Sequence, residues 1–198
     1  MSSKIEKIGL FGGSFDPVHN GHLALAERAA EFAGLERVLF IPTANPPHKT
    51  GRKLTGFDAR RRMVELAIEG CPAFELSLFE KKERVAYTCE SVEYFRDKGY
   101  PREKLHYLMG GDSLAEISEW KKPEVIFKYA TVVSLSRPGY SGIAPFPPDA
   151  AVIIINRGKC AVSSTAVREA VREGASINEM VPAGVEEFIR ENSLYTRE

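Results

Sequence analysis

Short apolar runs alternate along the chain with longer segments in which apolar residues recur at helical spacing. Leu23, Ala26, Ala30 and Ala33 repeat at intervals of three and four, which is typical of one face of a helix. The apolar runs themselves are typical of buried strands. They predict strands at residues 8–11, 38–41, 74–78, 105–109, 131–135 and 152–155. Helices are predicted over residues 23–33, 57–69, 88–99, 113–129 and 164–173, with a last short helix around Val185, Phe188 and Ile189.

The repeated alternation of strand and helix predicts an α/β fold with right-handed crossovers. Continuously apolar strands favour a sheet that is covered on both faces. We therefore expect one domain over residues 1–198, built on a single doubly wound, mostly parallel, Rossmann-like sheet with a small helical C-terminal part. Ligands of such sheets bind beyond the carboxyl ends of the strands. The chemistry should follow the ends of these strands: Phe11, Ile41, Met109, Leu135 and Ile155.

Composition narrows the class of protein. The 198 residues carry 27 basic and 27 acidic side chains, so the formal charge is zero. A nucleic-acid coat or a polybasic membrane binder would have a basic excess. The cysteines Cys71, Cys89 and Cys160 are scattered, which favours reduced thiols over a disulfide framework. Residues 1–7 lack an apolar signal core and the apolar run at 151–155 is too short to span a bilayer, so we expect a cytoplasmic protein without a membrane partner.

The segment after the first strand reads GGSFDPVHNGHL, residues 12–23. Its glycines allow close approach of the backbone to a ligand, and a helix N-terminus suits phosphate. His19 and His22 are three residues apart and can face one side of a helical turn. A plain glycine turn with two surface histidines is the simpler interpretation. A zinc site is disfavoured, because no further Cys or His cluster completes it.

A second segment, VSSTAVR at residues 162–168, follows the last strand and opens a helix. Helix capping alone would explain one hydroxyl. Ser163, Ser164 and Thr165 with Arg168 one turn later look more like an anion clamp, because arginine binds phosphate in a forked geometry. P-loop, dinucleotide-binding and hydrolase-elbow motifs are all absent from the expected positions.

Together, the two segments resemble the paired signatures of the nucleotidyltransferases related to class I aminoacyl-tRNA synthetases. Further motifs occur in the order seen in the family of bacterial nicotinate-nucleotide adenylyltransferases, and the resemblance covers nearly the whole chain. Val162 stands where isoleucine is usual, and Ala86 where serine often precedes Tyr-Thr. The additional motifs are PPHK at 46–49, YT at 87–88, GGDSL at 110–114, Trp120 and RPGY at 137–140.

The resemblance implies that ATP and nicotinate mononucleotide react to give nicotinate adenine dinucleotide and pyrophosphate. It implies direct in-line attack, with His19, His22 and Arg168 as catalytic residues. Mg²⁺ would bind mainly through ATP phosphates and water, with no protein metal site. The expected ATP-binding residues are Gly12, Gly13, Ser14, Phe15, His22, Ser163, Ser164, Thr165 and Arg168.

The expected substrate-binding residues are His48, Lys49, Thr88, Asp112 and Trp120. Each has a simpler alternative. The first two would belong to a solvated loop, Asp112 would cap a helix and Trp120 would be a core anchor. The run of arginines at 60–62 is interpreted as a solvated helix face.

Other functions stay open at this point. The alternatives are adenylyl transfer to nicotinamide mononucleotide or phosphopantetheine, a non-catalytic nucleotide sensor, and an RNA-binding module. Phosphopantetheine enzymes usually carry Thr at the position of His19, and the zero net charge argues against RNA. The sequence leaves open whether the chain forms a homodimer.

Overall fold

The computed structural model describes residues 5–44, 54–80, 87–136, 146–156 and 162–196. Within these ranges the strands are β1 (Ile8–Gly13), β2 (Arg37–Pro42), β3 (Phe74–Leu76), β4 (Leu105–Gly110), β5 (Thr131–Ser136) and β6 (Val152–Asn156). The α-helices are α1 (Asn20–Ala33), α2 (Phe57–Ile68), α3 (Thr88–Asp97), α4 (Gly111–Ala115), α5 (Pro123–Tyr129), α6 (Ser164–Glu173) and α7 (Ala183–Glu191). Short 3₁₀ turns cover Arg102–Lys104 and Ile117–Glu119.

The strands form one sheet in the order β3-β2-β1-β4-β5-β6, and each neighbouring pair is parallel. The chain therefore moves outward in one direction from β1 and then returns to build the other half from β4. This order is that of a doubly wound sheet, so the predicted fold class is confirmed. Because the pairs are parallel, the carboxyl ends of all six strands lie at one edge.

Two apolar cores cover the two faces of the sheet. One contains buried residues of α1, α2, α6 and α7, represented by Ala29, Met63, Val167 and Val185. The other contains buried residues of α3, α4 and α5, such as Val92, Leu114 and Ile126. The helices of the C-terminal part thus pack on the same face as α1, which follows the first glycine-rich turn.

The helix predicted over residues 113–129 is wrong. The chain instead forms α4, a 3₁₀ turn and α5. Lys122 has φ of 48°, and Pro123 is the first residue of α5. Proline lacks a backbone N–H and clashes with a preceding helical turn, so a helix cannot run through this point undisturbed. Strand β2 includes Pro42, and β3 ends at Leu76, two residues before the predicted end.

Several sequence-based predictions fall outside the described residues. They concern His48 and Lys49, the RPGY motif at residues 137–140, Ala86 and Cys160. Among the residues that are described, no helix is both long and apolar enough to cross a membrane.

Candidate active site

A cavity of about 740 Å³ opens at the carboxyl edge of the sheet. Its size falls in the range of small-molecule sites, which is about 300–1,000 Å³. Both glycine- and serine-rich segments contribute to its wall, although they are separated by some 140 positions along the chain. Of the residues predicted from the sequence, the cavity is lined by Gly12, Gly13, Ser14, Phe15, His19, His22, Thr88, Asp112, Trp120, Ser163 and Ser164.

The glycines at the end of β1 leave little room for a side chain. A Cβ atom on Gly12 would lie 2.7 Å from the hydroxyl oxygen of the buried Tyr107, so a larger residue would displace that phenol. Phe15 has φ of 46°, in the left-handed region that non-glycine residues rarely adopt. Its buried ring lies 5.4 Å from the ring of Phe11 and 5.7 Å from that of Phe40. This packing helps to hold a strained backbone at the cavity wall.

The two histidines meet at the start of α1. The backbone N–H of His19 donates to Nδ1 of His22 at 3.2 Å, and the two rings stack with centroids 3.7 Å apart. Since Nδ1 of His22 accepts a hydrogen bond, the proton of its neutral ring lies on Nε2. The backbone N–H of Asn20 donates to the carbonyl of Met180 at 2.9 Å, which ties this helix start to the C-terminal part.

The serine-rich segment contacts the glycine-rich segment directly. Ser163 is the N-cap of α6, since its Oγ accepts from the backbone N–H three residues later at 3.2 Å. The hydroxyl of Ser164 donates to the carbonyl of Pro17 at 2.9 Å. Nη1 of Arg168 donates to the carbonyl of Asp16 at 2.8 Å. The start of α6 therefore lies beside the start of α1.

Two residues predicted to bind phosphate do not line the cavity. Thr165 is exposed, and Arg168 donates through Nη2 to the Thr165 hydroxyl at 3.0 Å. The guanidinium of Arg168 thus bonds to its own helix and to the first motif. Its contact with a phosphate stays a prediction.

On the other side of the cavity, the aromatic side chains of Tyr107 and Trp120 lie near the start of α3. The hydroxyls of Thr88 and Tyr107 are 3.2 Å apart. Burial raises the pKa of Tyr107, so the phenol stays protonated. The ring of Trp120 meets that of Tyr107 edge-on at a centroid distance of 6.5 Å. Trp120 is half-buried, so it both packs against the core and faces the cavity.

Charged groups that the motifs did not indicate also line the cavity. Lys121 donates to Oε1 of Glu90 at 2.8 Å, and its Nζ lies 3.9 Å from the centre of the Tyr87 ring. Glu80 is 6% exposed and accepts at 2.8 Å from the hydroxyl of Ser91. Burial raises the pKa of the Glu80 carboxyl to about 6. Nothing local in the sequence marks Glu80, because its burial depends on the packing of α3.

The prediction that Arg60 belongs to a solvated helix face is wrong. It is 2% exposed, and its guanidinium donates to the carbonyl of Ser14 at 2.7 Å. By contrast, the other two arginines of the run pair with Glu65 at the surface. The spacing of Arg60 to the buried Met63 is three residues, which places both on one face of α2. That periodicity is the signal that could have identified it.

No group of three or more His, Cys, Asp or Glu residues in the described ranges could hold a metal ion. The acidic side chains at this end of the fold do include Asp112, Glu116 and Glu119, which line the cavity. The described part of the cavity wall therefore carries separate carboxylates and no cluster of metal ligands.

Comparisons with known proteins converge on one family. Residues 10–170 match the family model described as cytidylyltransferase-like. The nicotinate-nucleotide adenylyltransferase of Bacillus subtilis is 33% identical over 96% of this chain and 99% of its own length. A Thermus thermophilus protein named "Probable nicotinate-nucleotide adenylyltransferase" is 38% identical, with 96% of this chain and 99% of its own length aligned.

Among solved structures, the Plasmodium falciparum nicotinic acid mononucleotide adenylyltransferase complexed with NaAD has the same fold. It superposes with a TM-score of 0.78 at 18% sequence identity, and the alignment covers 96% of this chain and 97% of that chain.

Proposed function

The chain belongs to the nicotinate-nucleotide adenylyltransferases of the cytidylyltransferase-like family, and we propose that it transfers the adenylyl group of ATP to nicotinate mononucleotide. The products are nicotinate adenine dinucleotide, on the way to NAD, and pyrophosphate. The observation that carries this proposal is the meeting of two helix N-termini, those of α1 and α6, at one cavity. Such termini attract phosphate, and two of them suit a polyphosphate better than one.

The chemistry needs alignment more than acid–base catalysis. An oxygen of the mononucleotide 5′-phosphate attacks the α-phosphorus of ATP and forms a new P–O bond. The bond from the α-phosphorus to the bridging oxygen breaks, and pyrophosphate leaves with the electron pair. Because the attacking phosphate is already an anion, no strong base is required. The protein must hold two repelling anions in line and stabilise the charge that spreads over the transferring group.

We assign the ATP end of the reaction to the two motifs. The backbone at Gly12, Gly13, Ser14 and Phe15 would contact ATP. His22 would donate from Nε2 to the phosphates, with the stacked ring of His19 fixing its orientation. Ser163, Ser164, Thr165 and Arg168 would hold the departing pyrophosphate at the start of α6.

The mononucleotide would occupy the side of the cavity next to α3. Trp120 offers a ring face to the pyridine, and Thr88 offers its hydroxyl and the helix N-terminus to the nicotinate carboxylate. Asp112 would accept from a ribose hydroxyl. His48 and Lys49 would reach the mononucleotide phosphate, an assignment that rests on the PPHK motif alone.

Mg²⁺ fits the donor set of this cavity. It prefers oxygen ligands and keeps several waters, so phosphates with at most one or two carboxylates suffice. Glu116, which lines the cavity, is the carboxylate that would assist. The bound cation would neutralise charge on the phosphates of ATP. We further propose that the protein is a cytoplasmic enzyme of one domain. Its reaction would require neither nucleic acid, nor a membrane, nor a second subunit.

Pyrophosphate release with a panel of acceptors tests the function. With ATP and nicotinate mononucleotide the protein should release pyrophosphate, and with the nicotinamide analogue turnover should fall by about tenfold or more. The amide places NH₂ against N–H donors, and a buried donor left without a partner costs about 1–3 kcal/mol. Phosphopantetheine should give no release. Preference for the amide would overturn the assigned substrate, and ATP binding without release from any acceptor would indicate a sensor.

A further inference from the structure

Arg60 is a buried cation, and its hydrogen bonds to the residues that the structure describes all go to backbone carbonyls. Nη1 donates to Ser14 at 2.7 Å and to Thr43 at 3.1 Å, while Nη2 donates to Thr43 at 3.1 Å. Nε donates to the carbonyl of Thr55 at 2.9 Å. The Phe57 ring lies 5.6 Å from the guanidinium carbon. One side chain thus joins three separate segments of the chain.

Two of these three segments line the cavity. Ser14 belongs to the turn after β1, and Thr43 directly follows β2; both line the cavity. The N–H of Thr43 donates to the carbonyl of Gly13 at 2.9 Å, so the two turns are already neighbours. Thr55 lies just before α2. Arg60 therefore links the turn after β1 to the turn after β2.

The peptide that Arg60 holds precedes a strained residue. Phe15 follows Ser14 and has φ of 46°. A non-glycine residue in this region is strained and persists only where its surroundings over-determine it. The packed ring of Phe15 supplies one constraint, and the bond from Arg60 to the preceding carbonyl supplies another.

A lysine at position 60 could not make the same set of hydrogen bonds. A guanidinium is planar and presents its donors in a fixed fork, whereas an ammonium is a point charge with three rotatable donors. Burial lowers the pKa of Arg60 and the nearby Asp16 carboxylate opposes that shift. The hydroxyl of Tyr195 donates to Asp16 at 2.7 Å, which fixes the carboxylate beside the cation. The surroundings of residue 60 therefore suit both the charge and the planar shape of a guanidinium.

We propose that Arg60 is a positioning residue for the nucleotide: it fixes the peptide between Ser14 and Phe15 so that the backbone of this turn meets the phosphates of ATP. Arg60 does not itself line the cavity. The inference rests on the proposed function only for the identity of the nucleotide.

The test compares Arg60→Lys with Arg61→Lys on the same helix. Arg61 is half-exposed and pairs with Glu65 and Asp58, so it serves as the matched control. Arg60→Lys should lower kcat/KM for ATP by about 100-fold, the effect of a misplacement of about 1 Å. ATP affinity measured by calorimetry should fall with it, while KM for the mononucleotide changes much less. Arg61→Lys should match the wild type.

A second variant separates positioning from folding. Arg60→Ala leaves a hole of guanidinium shape, so millimolar guanidinium should restore part of its ATP affinity and turnover and should not affect Arg61→Lys. If Arg60→Ala does not fold, Arg60→Lys decides, with its folded fraction measured by thermal unfolding. Wild-type ATP affinity in folded Arg60→Lys would overturn the inference, as would a loss that only follows the unfolded fraction.

Failure of the proposed function would look different. A wild-type protein that binds ATP but releases no pyrophosphate would reject the transferase reaction, while the comparison of ATP affinities would still test Arg60. A wild-type protein that does not bind ATP would overturn both.

Discussion

The two edges of the sheet use charge in different ways. At the amino edge, charged side chains pair with one another near the surface: Nε of Arg37 lies 2.6 Å from Glu6, and its Nη1 lies 3.1 Å from Glu75. At the carboxyl edge, Arg60 and Arg168 bond to backbone carbonyls of the turns that line the cavity. The charged side chains at the amino edge form ion pairs at the surface, whereas these two arginines at the carboxyl edge hold backbone positions.

Buried titratable groups differ between the edges as well. His106 lies near the start of β4 and is 3% exposed, and burial together with the nearby charge of Lys7 lowers its pKa to about 4. Glu80 lines the cavity at the other edge with its pKa raised to about 6. Substitutions at the carboxyl edge should therefore change catalysis, and those at the amino edge should change only stability.

The largest expected effect at the carboxyl edge comes from His22. Removing one preorganised donor costs about 10²–10³ in kcat. His22→Gln should keep the melting temperature, because glutamine at this helix position can still accept from the backbone N–H of His19. It should show this loss, because the amide NH₂ beside that bonded oxygen cannot also occupy the position of the imidazole Nε2–H. His22→Ala should lose as much activity and some stability.

Pyrophosphate release and thermal unfolding of both variants check the prediction. Near wild-type turnover in His22→Gln would remove the imidazole from the mechanism.

Local patterns predicted most of this fold, because each strand and helix is marked by its own periodicity. The sequence pattern does not mark the junction at Lys122, since the positive φ before Pro123 depends on how the chain packs. Both motifs can be recognised from the sequence alone. The hydrogen bonds from Ser164 and Arg168 to the first motif cannot be predicted in this way, because they join residues far apart in sequence. Arg60 shows the limit most clearly: a run of three arginines conceals one that points inward.

At the amino edge, the larger expected effect is a pH dependence of stability from His106. Its folded pKa lies below the usual 6.5, so the unfolded chain takes up the proton more readily as pH falls from 6.5 to 4. Between pH 7 and pH 5 this should lower the free energy of unfolding by about 2 kcal/mol. Nδ1 of His106 has no hydrogen-bond partner among the described residues that would hold the charged form.

Urea unfolding of the wild type and of His106→Leu at both pH values measures the effect. The difference between the two proteins is the readout, because Glu80 acts in the opposite sense: its raised pKa favours the folded state as pH falls from about 6 to 4.5. Equal pH dependence in both proteins would refute the assignment.

The smallest expected effect comes from Arg37. Its ion pairs are half-exposed, and such pairs contribute about 0–1 kcal/mol. Arg37→Met should lower the free energy of unfolding within that range, less at high salt, and leave kcat/KM unchanged. A fall in kcat/KM at constant stability would contradict the division between the two edges.

The most direct measurement is a crystal structure with an ATP analogue whose α and β phosphorus atoms are bridged by a methylene group, which prevents pyrophosphate release. The triphosphate should lie between the starts of α1 and α6, within hydrogen-bond distance of both His22 and the Ser163–Ser164 peptide. A triphosphate that contacts only one of these helix starts, or binds outside the cavity, would contradict it.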